Sequence, residues 1–144
     1  MSDKCFVDTN VLVYAHDRSA GAKHQQALSL VEELWNSGRG VLSTQVLQEL
    51  CVSVRHRAAR PWTLDELREL VQDYLSWEIV VNTRESVLGA LDLEQRWQIS
   101  FWDALILHAA EVSGSPVLYS EGLSGGQTYG SVTVINPFAA LPSP

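Results

Sequence analysis

Three acidic residues stand out by position. Asp8, Glu49 and Asp103 each fall where an apolar strand gives way to a helix or within a helix's first turns, and none serves a hydrophobic core. A parallel α/β sheet gathers its strand ends along one edge, so carboxylates remote in sequence can converge there. Carboxylate oxygens hold hard divalent cations, and cations held this way act on phosphate esters. The chemistry implied is metal-assisted phosphodiester cleavage.

Each acid also has a plainer explanation. Asp8 closes the run Cys5-Phe6-Val7 and precedes Thr9 and Asn10, which suits a simple Asx turn with Asn10 as cap of a short helix. Yet a coordinating set at the carboxyl end of a strand is where open α/β sheets build sites. Glu49 lies off the apolar arc of Val46, Leu47, Leu50, Cys51 and Val54, at about 100° per residue, so it is not misplaced core. Standing alone, it reads best as a solvated acid complementing the helix dipole. Ser100 to Asp103 has the shape of a capping box, as do Thr63 with Glu66 and Asn82 with Glu85. The helix behind Asp103 is apolar around most of its circumference, so a charge at its mouth calls for a partner, and a metal would serve.

Hydrophobic periodicity places the elements that must position these acids. Strands are expected over Cys5 to Val7, Gly40 to Ser43, Glu78 to Val81, Val117 to Tyr119 and Val132 to Ile135. Helices are expected over Ala22 to Ser37, Val46 to His56, Thr63 to Ser76, Glu85 to Trp97 and Phe101 to Val112. The alternation predicts an α/β fold with a mainly parallel sheet between helical layers. Gly122, Gly125, Gly126 and Gly130 mark a turn between two strands; the lysine and hydroxyl of a phosphate-binding P-loop are missing.

The chain has 144 residues, 46% of them hydrophobic and 19% charged, which suits a single domain over residues 1–144. A formal charge of −7 argues against a broad basic face for nonspecific nucleic-acid wrapping. It does not exclude nucleic acid as a substrate, because bound cations become the largest local charges in an acidic site. Cys5 and Cys51 read as small buried thiols, with no disulfide framework or zinc spacing. The apolar run after Cys5 is broken by Asp8, Thr9 and Asn10, too polar for a signal peptide or membrane span, so a cytoplasmic location is the expectation.

Other side chains carry weaker signals. Arg55, His56, Arg57 and Arg60 form the one dense basic cluster; it reads as a solvated helix end or as a phosphate-steering patch. The five tryptophans could stack on bases, though such residues more often serve cores and subunit contacts. No HExxH-type histidine spacing and no nucleophile elbow is present.

Four stretches together resemble the PIN-domain ribonucleases, especially the VapC-type toxins of bacterial toxin-antitoxin pairs: Phe6 to Ala15, Val46 to Leu50, Phe101 to Ile106 and Leu118 to Glu121. The resemblance runs nearly the length of the chain, to Val134-Ile135-Asn136-Pro137-Phe138. It implies a three-layer α/β/α sandwich in which Asp8, Glu49 and Asp103 are metal ligands and catalytic acids, with Thr9, Asn10 and Ser120 in support. It also implies endonucleolytic RNA hydrolysis with Mg²⁺ or Mn²⁺, a cognate antitoxin whose C-terminal segment fills the acidic groove, and a homodimer. In one respect the chain departs from the family. Where the pattern usually places a fourth acid after Ser120-Glu121, this chain has Gly122. Three consequences stand open: Glu121 takes the role, one metal suffices, or the domain keeps its fold and partner while losing activity. A phosphotransfer receiver or haloacid-dehalogenase-like phosphatase is a distant alternative, lacking a second aspartate two residues after Asp8.

Overall fold

The computed structural model describes residues 2–57, 61–123 and 125–141. Strands β1 (Cys5–Val7), β2 (Gly40–Ser43), β3 (Glu78–Val80), β4 (Val117–Tyr119), β5 (Thr128–Tyr129) and β6 (Val132–Ile135) form one sheet in the order β3-β2-β1-β4-β6-β5. All neighbouring pairs are parallel except β5 with β6. The central strand β1 is buried along its whole length, as expected of a strand covered on both faces. Helices α1 (Thr9–Ala15), α2 (Ala22–Ser37), α3 (Thr44–Arg57) and α4 (Leu64–Tyr74) pack in series, α1 touching both α2 and α3. Helices α5 (Arg84–Trp97) and α6 (Phe101–Ser113) form a second packed pair, and α6 lies across β2, β3, β4 and β6. This is the expected α/β/α sandwich.

Strand order reverses beside β1, since the chain moves from β1 through β2 to β3 on one side and returns to place β4 on the other. In open α/β sheets a crevice opens at the carboxyl ends of the strands flanking such a switch. Asp8 follows β1 directly and Ser120 follows β4, with Asp8 N donating to Tyr119 O at 2.9 Å. The topology thus delivers both residues to the same crevice.

Several sequence expectations shift by a residue or two, each for a local reason. Asp8, not Asn10, caps α1: its carboxylate accepts from Thr9 N, and the helix starts at Thr9. Helix α3 begins at Thr44, because the Ser43 hydroxyl accepts from Val46 N and starts the turn early. Helix α5 is entered at Thr83, whose N–H donates to Ser86 Oγ, rather than at Asn82 with Glu85. The box of Thr63 with Glu66 is present as expected. The turn after β4 holds the two-residue strand β5, too short to show alternation. Cys5 is buried, but Cys51 is only partly so. Gly40 has a packing role, since a Cβ there would run into the Trp77 ring. Trp77 in turn stacks edge-on with Trp35 and Tyr74. Among the described residues no helix is long and apolar enough to cross a membrane.

Candidate functional site

The crevice contains a cavity of about 640 Å³. Its floor is Asp8, Thr9, Asn10 and Val13 from the start of α1. One wall is the face of α3 bearing Gln45, Gln48, Glu49, Val52 and Ser53, and the other is the first turns of α6, Trp102, Asp103 and Ile106; Gly122 closes the rim. The spacing on α3 is that of one helical face. All three expected acids therefore line one cavity, although they come from three different elements.

Asp8 is the innermost acid, at 8% exposure. One carboxylate oxygen accepts from Thr9 N at 2.7 Å and the other from Ser120 Oγ at 2.8 Å. Ser120 is itself fully buried and also accepts from Gly122 N and Leu123 N, which ties the β4 turn to Asp8. Burial is the largest influence on this carboxyl and pushes its pKa up to about 6, with Glu49 and Asp103 adding repulsion and the two hydrogen bonds opposing it. Glu49 is half-buried, and the Thr9 hydroxyl donates to its Oε1 at 2.7 Å. Thr9 thus links two acids, its amide to Asp8 and its hydroxyl to Glu49. Ser100 caps α6 by accepting from Asp103 N, while the Asp103 side chain lines the cavity. The cap and the place in the cavity coexist, because the cap uses the backbone of Asp103.

No lysine or arginine lines the cavity among the described residues. The acids influence one another electrostatically without closing on a common point: among the described residues no three His, Cys, Asp or Glu side chains form a ready cation cage. The donor set is nonetheless all oxygen, from carboxylates, hydroxyls and amides, which is what a hard divalent cation takes. A buried carboxyl repelled by two others, with no basic residue beside it in the cavity, is the electrostatic complement of such an ion. The residues fit a divalent cation.

Glu121 is placed elsewhere. Its carboxylate is paired with Lys23 and accepts from the Tyr14 hydroxyl at 2.9 Å, and it does not line the cavity. Gly122 lines the cavity and Glu121 does not, because Lys23 and Tyr14 hold the Glu121 carboxylate on the outside of the bend after β4. Asn10 lines the floor, but its Oδ1 accepts from Glu121 N, so it fixes the β4 turn. Arg55 is exposed and outside the cavity lining. At about 100° per residue it lies roughly 120° around α3 from Glu49. The Arg57 side chain and Arg60 lie outside the described residues. Sequence reasoning missed Gln45 and Gln48. Gln45 stands one helical turn before Glu49, a spacing that marks it once α3 is known to start at Thr44.

A model of the PIN domain family matches residues 5–122, which covers β1 through the Gly122 rim. The chain belongs to the PIN-domain family. Among solved structures, this PIN domain is similar to a toxin-antitoxin complex from Klebsiella pneumoniae, at 16% identity and a TM-score of 0.68, covering 93% of this chain and 98% of that one. It is also similar to the Mycobacterium tuberculosis toxin VapC20, described as cleaving the sarcin-ricin loop, at 20% identity and a TM-score of 0.62, covering 81% and 88%. No curated protein matches. These likenesses establish the PIN fold around the cavity.

Proposed function

We propose that this PIN domain, residues 1–144 acting as one unit, is a metal-dependent endoribonuclease and the toxin of a type II toxin-antitoxin pair. The observation that carries the reading is the meeting of Asp8, Glu49 and Asp103 in one cavity lined by no lysine or arginine among the described residues. The toxin descriptions of both structural neighbours support it. Asp8, Glu49 and Asp103 would hold Mg²⁺ or Mn²⁺, which when bound supplies Lewis acidity toward a phosphodiester. Thr9 and Ser120 hold the Asp8 carboxylate from both sides, and Thr9 holds Glu49. Without a cation, the acids and the overall charge of −7 repel a phosphate backbone, so substrate binding and metal loading are coupled.

Trp102 gives the cavity a place for a base. It is 63% exposed at the rim, beside Asp103, whereas Trp77 is buried among aromatics. Stacking on an exposed indole is worth about 1–3 kcal/mol per base. Trp102→Ala is expected to raise KM for a single-stranded RNA by about tenfold, with kcat and thermal stability little changed. An unchanged KM would remove the stacking role.

Work in the cytoplasm, an antitoxin whose basic side chain enters the acidic cavity, and a homodimer complete the proposal. The exposed Val87, Leu88 and Leu91 on α5 form an apolar face that a second copy would cover. A second reading has one specific observation in its favour, the glycine at the cavity rim. On that reading the chain is a catalytically weakened module acting through protein or RNA binding. Incubation of purified protein with Mn²⁺ and RNA decides between them. Cleavage that is lost in Asp8→Ala establishes the nuclease; no cleavage by the natural chain, with cleavage by Gly122→Asp, establishes the weakened module.

A further inference from the structure

We propose that Gln45 is a positioning residue that sets Glu49 against the first turn of α6 for cation binding, an inference resting on the metal-site reading above. Gln45 is 4% exposed, at the second position of α3. Its side-chain Nε2 donates to Glu49 Oε2 at 3.5 Å and to the backbone carbonyl of Trp102 at 3.4 Å. One amide group therefore spans the two helices that carry Glu49 and Asp103. With Thr9 on Oε1, both oxygens of Glu49 are held by neutral donors, one from α1 and one from α3.

The amide can face only one way. Both groups at its nitrogen end are acceptors, so exchanging nitrogen and oxygen would set three acceptors against one another. In the orientation observed, Oε1 is buried and has no hydrogen-bond partner. An unpartnered buried carbonyl lowers stability, and an apolar side chain of similar volume would not incur that loss. The bond to the Trp102 carbonyl is what the amide gives the fold, set against this unpartnered oxygen, while the bond to Glu49 serves the carboxylate. Both bonds are long, so Gln45 directs the carboxylate while leaving Oε2 free to turn to a ligand. Residues one step behind metal ligands typically change metal affinity by about 10–100-fold when replaced.

The test is a titration of melting temperature with Mn²⁺, alongside calorimetric Mn²⁺ binding, for the natural chain, Gln45→Leu and Gln45→Met. The expected result is a metal-free melting temperature equal to or above that of the natural chain and Mn²⁺ affinity weakened by about tenfold, so that at every Mn²⁺ concentration well above both dissociation constants the variants gain less stabilisation than the natural chain. Unchanged Mn²⁺ affinity in a folded variant overturns the inference and leaves the metal site standing. A lower metal-free melting temperature with unchanged affinity, or failure of both variants to fold, overturns it too, because the amide then serves the fold. If the natural chain itself takes up no Mn²⁺, the metal-site reading falls and the inference with it.

Discussion

Asp8→Asn is expected to abolish Mn²⁺ uptake and RNA cleavage while making the metal-free protein more stable at neutral pH. The Asp8 carboxyl has a pKa raised from 3.8 to about 6, first by burial and then by Glu49 and Asp103. A folded pKa above the unfolded one means the folded state holds the proton more tightly. The contribution of Asp8 to stability is therefore most favourable below pH 3.8, erodes as pH rises through 6, and is fully unfavourable above that. At roughly 1.4 kcal/mol per unit, the penalty at pH 7.5 is of order 3 kcal/mol. Asparagine removes the charge and keeps the shape, but it presents one acceptor where Thr9 N and Ser120 Oγ now use two, which returns about 1 kcal/mol. A net gain of about 2 kcal/mol at pH 7.5, vanishing near pH 4, is the expected difference in chemical denaturation. It is the difference that matters, because His16 acts oppositely in the same window. Burial lowers its pKa from 6.5 to about 4, so its contribution is present above 6.5 and lost as pH falls toward 4. Comparing the two proteins at each pH cancels His16. A variant less stable than the natural chain at pH 7.5 would show that Asp8 is held as an ordinary helix cap.

This opposition of stability and chemistry explains which features were legible in the sequence. Strands β1, β2, β4 and β6 and helix α2 are bounded by strong changes of hydrophobic period, and their ends coincide with those expected. The three acids were legible because they violate that pattern at the strand and helix ends where sites form. Gln45 was not, since a neutral amide violates nothing; its role depends on Glu49 and Trp102, the latter 57 residues away. The separation of Glu121 from Gly122 was equally hidden. It rests on Lys23 and Tyr14, which hold Glu121 outside the cavity through contacts about a hundred residues apart in sequence. Strand β5 has two residues and is specified by its pairing with β6, which no local pattern reports.

Gly122→Asp is expected to tighten Mn²⁺ binding by about tenfold or more and to raise RNA cleavage, because the cavity already has the room and lacks the ligand. Gly122 lines the rim, and a Cβ built on it meets only Asn10 Nδ2, at 3.7 Å, an ordinary contact. Its backbone is not in the left-handed region, so a side chain brings no conformational strain there. The Asn10 amide nitrogen that the new side chain would meet is a donor, ready for a carboxylate. A fourth acid also has a cost in the metal-free protein. It raises the repulsion on Asp8, moving that carboxyl further from its ordinary range and lowering metal-free stability above pH 6. Stability and affinity should thus move in opposite directions: a lower melting temperature without Mn²⁺, and a larger increment on adding it. The pairing of Lys23 with Glu121 gives the control, since Glu121→Gln should leave Mn²⁺ affinity unchanged if Gly122 is the position that faces the ions. Tighter binding with much faster cleavage would mean that the natural chain works below the capacity of its fold. Tighter binding with cleavage unchanged would mean that Asp8, Glu49 and Asp103 already suffice for the chemistry.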